Sequence, residues 1–340
     1  MKTLSTFVDK TLSLLRLGRK WFARLLGSLA EAGRTRSYVE TVNLSQADTL
    51  HQAVKWCDAQ LLKREFEKAV KTGLKALRLG PVKVAIDGTE EPYWGKNGLY
   101  NTRAAVHELS MESWQFVNLS VVEPCFIPLM SLPYRQTDDL DLLVMDLLDY
   151  LRSLKLRVKL VLFDRGFYHA ELIDYLENKQ GGKPWPYLML VPRTDAVKAY
   201  LVQTTGTLGV FHHEMPHSKR KSKWKAVTTI VICKGVGTDR NGKPFDWCFA
   251  TNQPAGVRLV FEYKKRWNIE TGFRIQDEAQ IKSKSSHPLV RYFYHLLSML
   301  FVLMWRLHNK VQPYAVFKRF VKLVEESSRL GEWFGVKPPS

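Results

Sequence analysis

Val82-Lys83-Val84-Ala85-Ile86-Asp87 and Lys159-Leu160-Val161-Leu162-Phe163-Asp164 are two short apolar runs, each closed by an aspartate. Runs of this length, rich in β-branched residues, predict buried strands. Gly80-Pro81 before the first run marks an element boundary. The polar stretch after it, Gly88-Thr89-Glu90-Glu91-Pro92, reads as a turn. A single Asp after a strand often does no more than cap such a turn. Two strands that end alike and lie side by side would put both carboxylates at one sheet edge, where they could share a hard, oxygen-seeking cation such as Mg²⁺.

Working outward, strand patterns fall at 116–122, 126–132 and 187–191, and amphipathic helix patterns at about 138–154 and 170–178. The order β, β, β, α, β, α, β belongs to an α/β protein. Residues 193–255 break this rhythm with Gly-containing turns and strand-like runs at 226–233 and 245–251, which predicts a β-rich insertion. A long helix is expected over 257–280 and an apolar core helix over 293–305. Residues 1–79 carry apolar residues at helical spacing and predict a helical N-terminal domain. Lys10, Arg16, Lys20 and Arg24 share an arc of roughly 120° on its first helix. The divisions are therefore 1–79, 80–192, 193–255, 256–310 and a C-terminal tail, 311–340.

Composition narrows the class. The 340 residues are 45% hydrophobic, enough for a sizeable core. Fifty-one Lys and Arg against 33 Asp and Glu give a formal charge of +18, spread through every segment. Such a balance suits a polyanion, because phosphate contacts release counterions. Cys57, Cys125, Cys233 and Cys248 form no Cys-x-x-Cys pair, which argues against a zinc site or a disulfide framework. The apolar run at 293–305 falls short of the ~20 residues a membrane span needs. No signal-peptide pattern opens the sequence. The expected location is the cytoplasm or nucleoid, with no membrane partner.

A third constellation lies in Tyr263-Lys264-Lys265-Arg266-Trp267-Asn268-Ile269-Glu270-Thr271-Gly272-Phe273-Arg274. On a helix, Tyr263, Arg266, Glu270 and Arg274 share an arc of roughly 80°. Glu270 could complete a metal site while the arginines hold phosphates. Equally, Arg266 and Glu270 could be an i,i+4 pair on a solvated face. Lys219, Arg220, Lys221, Lys223 and Lys225 surround Trp224, a mixture able to grip a backbone and stack a base, or simply to form a solvated loop.

Together the Asp-Gly-Thr stretch from Asp87, the Asp-Arg-Gly-Phe strand end from Asp164 and the Tyr-x-x-Arg-x-x-x-Glu helix resemble the DDE transposases of prokaryotic insertion sequences. Within them they look closest to the branch named for a Tyr-Arg-Glu-Lys signature. The resemblance spans about residues 80–305. It implies a ribonuclease-H-like catalytic core with a β-rich insertion between the second Asp and the Glu. Asp87, Asp164 and Glu270 would be both catalytic residues and ligands of two Mg²⁺ ions, with Mn²⁺ as a substitute. The implied activity is DNA cleavage and strand transfer on element ends and target DNA, by a homodimer in a synaptic complex. Tyr263, Arg266, Arg274, Lys221, Lys223, Trp224 and Trp247 would contact DNA, one of the tryptophans by stacking on a flipped base. The sequence departs from the signature at Asp277, where that branch carries Lys, and leaves Arg274, Lys282 and Lys284 as candidate replacements. A nuclease of the same fold that only hydrolyses, and a DNA-binding relative without chemistry, remain as alternative readings.

Overall fold

The computed structural model describes residues 19–93, 95, 102–104, 112–135, 137–178, 183–216, 225–239 and 241–330. Four helices come first: α1 (Arg19–Thr35), α2 (Val39–Val42), α3 (Leu44–Lys55) and α4 (Ala59–Leu77). Asn43 and Asp58 cap α3 and α4 by accepting from the backbone N–H of Gln46 and Gln60, satisfying donors that a helix start leaves open. The leading unit is thus helical where it is described. The basic face drawn through Lys10, Arg16, Lys20 and Arg24 lies outside the described side chains.

β1 (Val82–Tyr93) corrects the first expectation. The strand does not stop at Asp87 but continues to Tyr93, paired antiparallel with β3 (Glu112–Glu123) from Lys83↔Glu123 to Tyr93↔Glu112, with Asp87 opposite Asn118. The turn-like composition of residues 88–92 is overridden because β3 offers partners to their backbone groups and His295 offers one to the buried Glu91 carboxylate. β2 (Arg103–Ala104) and β4 (Ile127–Tyr134) pair with different parts of β3.

After α5 (Leu140–Ser153), β5 (Val158–Phe163) lies parallel to β1, with Phe163 beside Ile86. The next residues are Asp87, within β1, and Asp164, just past the end of β5, so the two aspartates are neighbours. α6 (Ala170–Asn178) leads to β6 (Tyr187–Leu190), parallel to β5.

The region expected as an insertion contains α7 (Asp195–Gln203), β7 (Leu208–Pro216), β8 (Lys225–Cys233) and β9 (Trp247–Thr251). It is β-rich but not set apart. β9 pairs antiparallel with β6, β8 with β9 and β7 with β8, so these strands extend the central sheet in the order β2-β3-β1-β5-β6-β9-β8-β7, with β4 also on β3.

The long helix expected over 257–280 is two: α8 (Arg258–Lys264) and α9 (Trp267–Asp277). Between them the backbone tightens, with Arg266 N–H donating to Tyr263 at 2.8 Å and Ile269 N–H to Arg266 at 2.8 Å, the i to i+3 pattern of a 3₁₀ turn. Contacts on both sides hold the break. Lys83 reaches Glu262 at 2.5 Å and Glu123 at 3.1 Å, and Asn268 donates to the carbonyl of Val122 at 3.1 Å.

The apolar helix is longer than read: α10 (Pro288–Val311) has 24 residues. By length and composition it could cross a bilayer, but 83% of its most apolar window is buried inside the protein. Its neighbours include α3, α4, α9 and β4. Fully buried side chains such as Phe293 and Phe301 each contribute about 2 kcal/mol of burial. The expected C-terminal tail contains α11 (Phe317–Leu330), which packs on α1 and is tied to it by Arg34 and Glu325 at 2.8 Å.

Candidate active site

Three elements distant in sequence meet at one cavity of about 830 Å³. β1 contributes Asp87, the residue after β5 is Asp164, and the first turn of α9 contributes Glu270. All three line the cavity, together with Glu90, Arg165, Arg266 and Phe273. Each carboxylate faces the same guanidinium. Arg266 Nη1 is 2.5 Å from Asp87, and its Nη2 is 3.3 Å from Glu270 and 3.9 Å from Asp164.

Burial is graded across the three. The Asp87 side chain is 17% exposed, Asp164 37% and Glu270 39%. Burial raises the Asp87 pKa from 3.8 to about 6, and repulsion from Asp164 and Glu270 adds to the rise, while Arg266 and the Gly88 N–H oppose it. Three carboxylates against one guanidinium leave the cluster short of positive charge.

Tyr263 and Arg266 do not stand where DNA contacts were expected. Tyr263 is 1% exposed, and its hydroxyl donates to Asp164 at 3.3 Å. Arg266 is buried with both terminal nitrogens on carboxylates. Both side chains contact the acidic residues. Arg274 does belong to the exposed face, where it donates to Thr271 at 3.3 Å and does not line the cavity.

Trp247 is 3% exposed and packs among Phe245, Phe249 and Tyr263, with ring centroids 4.8, 6.0 and 5.9 Å away. It offers no free face to a base, because these rings cover it. Lys221, Lys223 and Trp224 lie outside the described residues. Of the proposed substitutes for the signature lysine, Lys282 lines a separate cavity with Asp277, Glu91 and Arg291, and Lys284 sits over the Tyr38 ring at 5.7 Å.

Sequence reasoning missed a buried polar network behind the carboxylates. Glu91 accepts from His295 Nδ1 at 2.8 Å, and His295 Nε2 meets Asn118 Oδ1 at 3.3 Å. Asn118 is the cross-strand partner of Asp87. Burial alone would raise the Glu91 pKa, but the hydrogen bond and charge of His295 hold it below its ordinary value. The available signal was His295 inside an apolar helix, a polar residue that must find a partner.

Gly272 fixes how closely α9 approaches the sheet. A Cβ there would lie 2.2 Å from the Phe126 ring, so a side chain at 272 would push away the helix that carries Glu270.

The donor set suits a divalent metal: three hard carboxylates converge, two of them open to a cavity with room for ions and substrate. Among the described residues no three His, Cys, Asp or Glu side chains stand close enough to hold an ion as placed; here the carboxylates meet on Arg266.

No protein-family description matches the sequence, and neither does any curated protein. The fold is similar to that of a piggyBac transposase, in the cryo-electron microscopy structure of its synaptic complex with hairpin DNA. The TM-score is 0.60 at 11% identity, over 92% of this chain and 71% of that one.

Proposed function

We propose that the chain is a metal-dependent transposase of the DDE type, built on a ribonuclease-H-like core, that cuts and rejoins DNA during transposition of an insertion sequence. The observation that carries this reading is the convergence of Asp87, Asp164 and Glu270 on one cavity within 4 Å of a single guanidinium. The likeness of fold to a piggyBac transposase supports it, and the charge of +18 suits a DNA partner. The neighbour's synaptic complex with hairpin DNA motivates the further proposal that two copies of this chain bring two DNA ends together.

Asp87, Asp164 and Glu270 would hold one or two Mg²⁺ ions, with Mn²⁺ as an acceptable substitute. Bound metal supplies Lewis acidity and lowers the pKa of an attacking water or 3′-hydroxyl at a phosphodiester. The chain's own residues do the placing. Tyr263 orients the Asp164 carboxylate through its hydroxyl. The Glu91-His295-Asn118 network stiffens β1 and β3 around Asp87. Arg165 lies on the cavity wall, where an exposed guanidinium can meet a phosphate.

The test is a joining assay. Purified protein, Mg²⁺ and a duplex carrying the inverted repeats that flank its coding region should yield 3′-hydroxyl ends and products joined to a target plasmid. Asp87→Asn, Asp164→Asn and Glu270→Gln should each abolish both steps. Cleavage without joining would favour a hydrolytic nuclease, and undiminished activity in the three variants would remove the carboxylates from the chemistry.

A further inference from the structure

We infer that Arg266 is the resident counter-ion of the carboxylate cluster: its guanidinium holds Asp87, Asp164 and Glu270 together in the metal-free protein and is displaced when a divalent cation binds. This rests on the proposed metal site and goes beyond it, since it gives Arg266 a role before DNA or metal arrives.

Geometry carries the inference. The Arg266 side chain is 9% exposed, and its terminal nitrogens contact all three carboxylates. The Nε is buried and has no hydrogen-bond partner. Both terminal nitrogens are taken up by carboxylates on the cavity lining, and Nε donates to nothing. The arrangement satisfies the carboxylates at the expense of the arginine.

Charge explains why. Three carboxylates converging in a partly buried site repel one another, and some cation must lie among them for the fold to keep them together. Arg266 supplies one positive charge, spread over a planar group. A divalent ion supplies two at a point and binds oxygen at about 2.1 Å, closer than any guanidinium nitrogen can come. Both cations are held by the charge of the same three carboxylates, and each repels the other at this range, so the two compete.

The location permits the exchange. Arg266 occupies the tight turn between α8 and α9, outside either helix, and lines the 830 Å³ cavity. Its guanidinium already lies 5.7 Å from the Tyr263 ring centroid, an alternative resting place for a cation. Once released, Arg266 would stand at the cavity wall beside the position of a scissile phosphate. Metal binding would thereby convert a carboxylate-holding arginine into a phosphate-binding one.

The experiment measures Mn²⁺ binding by electron paramagnetic resonance, without DNA, in the full chain, in Arg266→Met and in Arg266→Lys. Thermal melts of each are recorded with and without Mn²⁺. Removing a competing charge predicts at least about tenfold tighter Mn²⁺ binding by Arg266→Met. It also predicts a lower Tm without metal, restored when Mn²⁺ is added. Arg266→Lys, a point charge unable to span three carboxylates, should fall between the two. If Arg266→Met is soluble only with Mn²⁺, that dependence supports the inference, and the lysine variant supplies the affinity. Mn²⁺ affinity unchanged or weakened in the folded variants overturns the counter-ion role and leaves the metal site standing. Absence of Mn²⁺ binding in every form overturns both.

Discussion

Replacing Asp87 by Asn should stabilise the metal-free protein while destroying its activity. Burial, followed by repulsion from Asp164 and Glu270, lifts the Asp87 pKa from 3.8 to about 6. An acid whose pKa is raised on folding favours the fold in its protonated form. That contribution is complete below pH ~4 and is lost as the pH rises through about 6. Two pKa units correspond to about 3 kcal/mol, an upper bound on what the ionised carboxylate costs at pH 8. Asn keeps an oxygen that can accept from Arg266 and reduces the three carboxylates around it to two. In thermal melts with a chelator, Asp87→Asn should exceed the wild type by a few degrees at pH 8, with the gap closing toward pH 4. Saturating Mg²⁺ should reverse the order: at a hundred times its dissociation constant the ion stabilises the wild type by about 2.7 kcal/mol and the variant by much less. If Asp87→Asn is no more stable than wild type at pH 8, or if the gap ignores pH, the electrostatic account of the cluster is wrong.

Three other outcomes follow from the packing around the site. Gly272→Ala places a methyl group 2.2 Å from the Phe126 ring; it should lose about 1–3 kcal/mol in denaturant unfolding and slow cleavage, and Phe126→Leu in the same chain should recover part of both. His295→Ala removes one partner of the buried Glu91 carboxylate, which keeps Gln280 and Arg291, and should cost about 1–3 kcal/mol, much of it regained when Glu91→Gln is added; a purely additive double mutant would show that the pair is not coupled. Tyr263→Phe removes the hydroxyl donated to Asp164 and should lower the DNA cleavage rate with a Tm change of no more than a few degrees, whereas equal loss of rate and of folded protein would make Tyr263 structural only.

The aspartates were readable because each closes an apolar run, and Ile86 and Phe163 are buried on adjacent parallel strands. What misled was local chemistry overruled by distant partners. Residues 88–92 carry turn-forming side chains, yet β3 pairs with them through to Tyr93. The helical period continues across Lys265 and Arg266, so nothing in spacing signalled that ion pairs from Lys83 and the hydrogen bond from Asn268 would fix a break there. Glu270 lines the cavity and Arg274, one turn further along the same helix, is exposed and does not. Trp247 and Tyr263 were expected to contact DNA because the resemblance implied it. The structure spends them on the core beneath the site, where large aromatic rings bury the most surface. The positions of β7, β8 and β9 beside β6 could not be read from spacing, because strand order depends on pairing between segments far apart in sequence.

The central claim, that Asp87, Asp164 and Glu270 form one metal site, is tested most directly by an anomalous difference map from a crystal of the protein soaked in Mn²⁺. We predict one or two peaks at about 2.1 Å from oxygens of all three carboxylates, with the Arg266 guanidinium withdrawn toward the cavity wall. A map without a peak there, at a Mn²⁺ concentration that supports DNA cleavage, and with Arg266 still held by the three carboxylates, would contradict the account.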